Sequence, residues 1–197
     1  MLWRRLKLIE ANGEPTQRGR ILSFFSHGDG LAVAAALECQ SYPLDEFIYD
    51  IANLHAGHRF SRDEHRWGGR LAVICHEAFG YQNIPGYLEN GIPVQYGYGA
   101  ESIVMDIHEN GLNKHKWVTE FLGAGDIDRI IIEWRSLLRQ VIHAPSLEWD
   151  RWMAFKELAA RTLNETQSPT LTELPELAYE QRQRMDHSLR WGSAGRE

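Results

Sequence analysis

The sequence predicts a mainly α-helical fold, and three observations carry that expectation. Apolar residues recur three, four and seven positions apart over much of the chain, the spacing that lines one face of a helix. Between these stretches stand Gly, Pro and Asn, residues that end helices or favour turns. Nothing alternates between apolar and polar as a half-buried strand does, apart from a short strand pair expected near 92–98.

The elements follow in order. Leu2, Trp3, Leu6, Leu8 and Ile9 fall at helical spacing, and Asn12-Gly13 stops that helix. Pro15 turns the chain, and the Thr16 hydroxyl is placed to cap a helix over 17–26 that buries Ile21, Leu22, Phe24 and Phe25. His27-Gly28-Asp29-Gly30 breaks it. A Leu- and Ala-rich helix over 31–39 follows, Ser41-Tyr42-Pro43 interrupts, and Leu44, Phe47, Ile48, Ile51 and Leu54 form the next stripe. Ser61 and Glu64 have the spacing of a capping box, with Phe60 placed as a hydrophobic staple. They predict a helix over 61–79 that closes at Gly80 and turns Leu71, Ala72, Cys75 and Phe79 inward. The stretch 81–99 reads as loop from Pro85, Gly86, Gly91, Pro93, Gly97 and Gly99. Helices are then expected over 100–109, 116–122, 127–143 and 147–163. Thr166-Gln167-Ser168-Pro169 reads as a linker, and 173–189 as a polar helix, free or docked on a partner.

Composition narrows the function. With 43% hydrophobic residues, 197 residues can build a sizeable core. No apolar run approaches the roughly 20 residues that cross a bilayer. The charges of Met1-Leu2-Trp3-Arg4-Arg5-Leu6-Lys7 sit inside an amphipathic pattern rather than ahead of an apolar leader. The expectation is a soluble, cytoplasmic protein with no membrane partner. Cys39 and Cys75 lack any partner motif, so reduced, buried thiols are expected. A net charge of -6 argues against a free-standing nucleic-acid binder, which usually carries a basic footprint. Seven tryptophans suit a packed helical core better than a docking surface.

Catalytic motifs are missing. The chain has no G-x-x-x-x-G-K-[ST] phosphate loop, and Gly97-Tyr98-Gly99 lacks the third glycine of a dinucleotide fingerprint. His55, His58, His65, Cys75, His76 and Glu77 are metal-ligand types. Their spacing fits no metal-binding helix, and His76-Glu77 has no histidine four residues on. Glu101, Asp106 and Glu109 have the chemistry of an acid–base pair, but on a helix face they read as solvated. No catalytic residue and no metal site is therefore expected.

One resemblance goes further. Gly13-Glu14-Pro15-Thr16-Gln17-Arg18-Gly19-Arg20-Ile21-Leu22-Ser23-Phe24-Phe25 resembles the G-x-x-T-x-x-G-x-x-h-s-x-F signature at which DEAD/DEAH-box and related superfamily 2 helicases leave their winged-helix domain. Two further blocks are similar to the helical module that follows the two motor lobes in bacterial helicases of this kind. They are Gly30-Leu31-Ala32-Val33-Ala34-Ala35-Ala36-Leu37-Glu38 and Tyr49-Asp50-Ile51-Ala52-Asn53-Leu54-His55-Ala56-Gly57-His58-Arg59-Phe60-Ser61. The resemblance covers about residues 1–110. Gln17-Arg18-Gly19-Arg20 does not match the arginine motif of the motors themselves, because its second Gly-Arg is missing.

The resemblance implies that 1–27 close a winged-helix-like segment, that 28–165 form a helical bundle and that 166–197 are a linker and polar C-terminal helix. The implied function is that of a C-terminal accessory domain of an ATP-dependent helicase, bracing or guiding a DNA or RNA strand. The motor lobes would be supplied in cis or in trans, since Met1 falls after both of them, and ATP and Mg would belong to the motor rather than to this chain. Arg62, Arg66 and Arg70 fall at i, i+4 and i+8 of the expected 61–79 helix, and Arg59 extends the row. These four are the candidate nucleic-acid-binding residues, because guanidinium groups are permanently charged and donate two hydrogen bonds at once to phosphate. Competing readings are a protein-interaction adaptor and a small metal-dependent hydrolase.

Overall fold

The computed structural model describes residues 2–57, 60, 66–111 and 113–167. Its elements are α1 (Leu2–Arg5), α2 (Gln17–Phe24), α3 (Asp29–Glu38), α4 (Leu44–Asp50) and a 3-10 turn (Ile51–His55) that continues α4. After these come α5 (Arg70–Phe79), β1 (Leu88–Glu89), β2 (Ile92–Pro93), α6 (Ala100–Glu109), a 3-10 turn (Lys114–Trp117), α7 (Ala124–His143) and α8 (Asp150–Glu165). The architecture is mainly α, and no described helix is long and apolar enough to cross a membrane.

The first segment is shorter than its periodicity predicts. Lys7 takes a left-handed conformation, φ 57°, and ends α1; Ile9 then pairs with Pro15 across a turn at Gly13. Thr16 caps α2 as expected, its hydroxyl oxygen accepting from the Gly19 amide at 3.0 Å. The break after α2 comes two residues earlier than expected, because α2 ends at Phe24 and Asp29 and Gly30 already lie in the first turn of α3. That helix is apolar all round and is buried from Asp29 to Leu37, the pattern of a central helix. It packs on α2 and α5. Backbone contact brings α3 onto α2: a Cβ on Gly30 would stand 2.6 Å from Leu22 Cα. α2 in turn meets the segment after α1 as closely, since a Cβ on Gly19 would stand 2.0 Å from Leu8 O.

The largest correction concerns α5, which begins at Arg70 rather than near 61. Gly69, φ +86°, is outside helical geometry, and Gly68 gives its carbonyl to the Tyr96 hydroxyl at 2.7 Å instead of to a helical amide. The Ser61–Glu64 capping box lies outside the described residues. The end of the helix is as predicted, at Gly80 with Leu71, Ala72, Cys75 and Phe79 buried. The strand pair sits earlier than 92–98. Leu88 faces Pro93 and Glu89 faces Ile92 across Asn90-Gly91, whose φ values of 55° and 80° are those of a type I′ hairpin turn.

α6 keeps its predicted bounds. The helix expected over 116–122 does not form beyond the 3-10 turn, because the Thr119 hydroxyl oxygen takes the amides of Phe121 and Leu122 at 3.3 and 3.1 Å, ending any helical ladder. α7 and α8 form an antiparallel pair that closes the bundle over α4, α6 and the 51–55 turn. Trp134 and Trp152 lie in the core, and their indole N–H groups donate to Ile48 O at 2.8 Å and Pro145 O at 3.0 Å. One continuous core reaches from Leu6 to Ala159, so α2 and the bundle share it.

Candidate functional site

Asn53 organises the centre of the molecule. It is buried in the turn after α4, and its carboxamide oxygen accepts from the Ala100 and Glu101 amides at 3.0 and 3.3 Å, capping α6 across 47 residues of sequence. The Asn53 carbonyl takes the Gly97 amide at 2.8 Å, and a Cβ on Gly97 would meet Gly57 O at 1.7 Å. Gly97-Tyr98-Gly99 is thus a close-approach joint ahead of a helix. Two clefts flank this joint.

The first cleft, of about 370 Å³, lies between the 51–57 turn, the 94–95 loop and α7. His55 stands at its edge with Nε2 2.8 Å from Asp29 Oδ2, at the start of α3. Burial opposes the charged ring, but the hydrogen bond and charge of Asp29 outweigh it, so the His55 pKa rises. On the far wall Arg129 pairs with Glu133 at 2.8 Å.

Arg66 is a strut of the same cleft. Its Nε donates to Tyr96 O at 2.9 Å, Nη2 donates to Val94 O, Nη1 lies 3.6 Å from Glu89, and the guanidinium covers the Trp67 ring at 4.2 Å. Only 7% of it is exposed. Arg70 instead donates to Glu46 at 2.7 Å and to Ser41 O at 2.6 Å, over the Tyr42 ring. Arg66 and Arg70 therefore do not share a helical face, since the Gly68-Gly69 break stands between them. Arg59 and Arg62 lie outside the described residues.

The second cleft, of about 390 Å³, is acidic. Asp45, Glu46, Asp50, Glu101 and Glu109 line it, with Arg70 as the basic side chain among the described lining residues. Asp50 is 7% exposed and accepts from the Tyr42 hydroxyl. Burial pushes its carboxyl up to about 7, against the lowering effect of the Tyr42 hydrogen bond; Glu101 and Glu46 add to the rise and Arg70 opposes it. The Tyr49 hydroxyl lies 2.9 Å from Glu109 and 2.8 Å from His108 Nδ1, and burial first, then Glu109, raises its pKa.

Of the carboxylates singled out in the sequence, the fold brings Glu101 and Glu109 to this cleft. Asp106 instead accepts from the Asn110 side chain at 3.1 Å. Glu101 is already engaged, with Oε2 on the Gly99 amide at 2.9 Å and Oε1 on Ser102 at 3.1 Å. Sequence reasoning missed Asp50. Its one signal was an acid inside the apolar run Phe47-Ile48-Tyr49-Asp50-Ile51, a place that only a partnered or perturbed carboxyl tolerates.

The described members of the histidine set form no metal-binding group. His76 Nε2 contacts Asn90 O at 2.9 Å, and its ring packs on Tyr81. Cys75 is enclosed and its thiol is pushed up to about 12 by burial, which leaves it unreactive. His58 and His65 lie outside the described residues. Among the described residues no group of three or more His, Cys, Asp or Glu is arranged to hold a metal ion. No protein-family model, curated protein or solved structure matches the chain.

Proposed function

We propose that this chain is a helical accessory module of a DEAD/DEAH-box nucleic-acid helicase, acting beside motor lobes supplied in cis or in trans and guiding the strand. In this reading 1–27 are the closing part of a winged helix, and the Ile9–Pro15 pairing followed by the capped α2 suits that role. ATP and Mg belong to the motor. The observation that carries the proposal is where the resembling blocks fall: their distinctive small and polar residues sit at helix joints. Thr16 caps α2, Gly19 meets the Leu8 backbone, Gly30 meets Leu22, and Asn53 caps α6. A signature spent on joints suits a module that holds a shape against a motor.

Strand contact in this reading falls first to Arg59 and Arg62, because Arg66 and Arg70 already serve the fold through carbonyl and carboxylate partners. The test is reconstitution with the motor encoded upstream of or beside this chain. The chain alone should show no saturable ATPase activity, and adding it should tighten single-strand binding by the motor. Replacing Arg59 and Arg62 by Gln should then weaken that binding and flatten its salt dependence, by roughly one log unit per log unit of salt for each phosphate that is no longer neutralised. ATPase activity in the chain alone, abolished by changes within it, overturns the accessory reading. So does capture of a protein partner with no effect on any motor, which favours the adaptor.

A further inference from the structure

A third cleft, of about 280 Å³, opens between α6, α7 and the end of α8. Val104 and Ile107 line it from α6, Ile131 and Trp134 from α7. Glu165, Thr166 and Gln167 form its remaining side, so the described chain runs out along the rim of an apolar cleft. Two side chains fix that exit. His108 Nε2 lies 3.6 Å from Glu165, and Arg135 Nη1 donates to Leu163 O at 3.3 Å and to the Thr166 hydroxyl.

We propose that this cleft is the docking site of the chain's own next segment, 168–177, seated through Leu171, Leu174 and Leu177. Reach permits it. Leu171 is four residues beyond Gln167, and four extended residues span roughly 13 Å, enough to turn back into a cleft that Gln167 itself borders. Composition fits as well. The three leucines recur at every third position with Thr172, Glu173 and Glu176 between them, which sets an apolar row against an apolar cleft and leaves polar groups for water. Pro169 and Pro175 restrict the backbone before docking and so reduce the entropy lost on it.

Tethering selects this occupant over a second copy. A segment joined by a short linker faces its site at an effective concentration on the order of millimolar, far above that of a free chain in dilute solution. Docking of this segment is independent of the helicase reading and would hold without it.

The full-length chain tests it in two ways. In a Cys39→Ser background, the pair Ile107→Cys and Leu174→Cys should form a disulfide within one chain under mild oxidation. Val73→Cys, on an exposed face of α5, paired with the same Leu174→Cys should not. Equal cross-linking of the control pair, or links only between two chains, overturns the proposal. Independently, Leu171→Ser, Leu174→Ser and Leu177→Ser together should speed amide exchange at 104–108 by about tenfold or more, while leaving α3 unchanged. Exchange that does not respond, or protection that grows with protein concentration, also overturns it.

Discussion

At the α2–α3 joint two backbones nearly touch, whereas the α7–α8 pair meets α4 through stacked rings. The first joint is made by what is missing: Gly30 has no side chain, and α3 closes on the Leu22 backbone of α2 over the gap. The second is made by bulk. Phe47 stacks on Phe155 at 4.6 Å and Tyr49 on Trp134 at 5.8 Å. The two joints should therefore fail in opposite ways, one by addition and the other by removal.

Removal at the ring joint gives the largest effect. Trp134→Ala deletes a side chain that is 2% exposed and takes away the donor to Ile48 O. It should cost about 3–5 kcal/mol, which for a chain of this size lowers the melting temperature by roughly 6–20 °C. Thermal unfolding checks this, and a shift of only a degree or two would mean that the rings do not carry the joint.

Next comes the carboxyl buried beside these rings. Asp50 titrates at about 7 in the fold against 3.8 when free. Folding thus favours its protonated form, a contribution complete below 3.8 and lost as pH rises through about 7. Asp50→Asn keeps an acceptor for the Tyr42 hydroxyl and cannot ionise. The variant should gain on the parent steadily from about pH 4 to about pH 8 in melting temperature. A difference that does not change with pH would show that Asp50 is already ionised in the fold at low pH.

Addition at the backbone joint is smaller. Gly30→Ala places a methyl 2.6 Å from Leu22 Cα, which must move, at about 1–3 kcal/mol. Gly125→Ala, at a helical glycine of α7 with nothing within 4 Å, should instead stabilise by roughly 0.4–1 kcal/mol through the unfolded chain. If both substitutions act alike in chemical denaturation, close approach does not distinguish the joints.

What is legible in the sequence follows the same division. Periodicity finds the apolar faces of α4, α6 and α7, and Gly99 and Asn110-Gly111 bracket α6 closely enough to set both its ends. Local breakers outweigh periodicity where the two conflict: Gly68-Gly69 cuts short the pattern that extends α5, and Asn90-Gly91 turns a hairpin inside a stretch that reads as loop. The clefts are hidden for another reason. Arg66 is defined by carbonyls 28 and 30 residues away, Asp29 by a histidine 26 residues on, and Asn53 by amides 47 and 48 residues on. Periodicity reports which face a residue occupies, and nothing in it tells which distant backbone group that face will meet.

The smallest expected effect tests whether a polar contact pins the backbone joint. His55 ends the turn after α4 and reaches Asp29 in the first turn of α3, so this pair ties α3 to the other side of the bundle. Burial alone would lower the His55 pKa below 6.5, yet Asp29 raises it above that value. The stabilisation is therefore complete below 6.5 and is lost as pH rises through the higher folded value. The His55 ring, followed by NMR, should titrate above 6.5 in the parent chain. In Asp29→Asn, burial is left unopposed by a carboxylate, and the midpoint should fall below the parent's, with the melting temperature of that variant less dependent on pH between about 6 and 8. A midpoint that does not move on Asp29→Asn would mean that the ring draws its charge stabilisation elsewhere, from Glu133 across the first cleft, and that α3 is pinned by close packing alone.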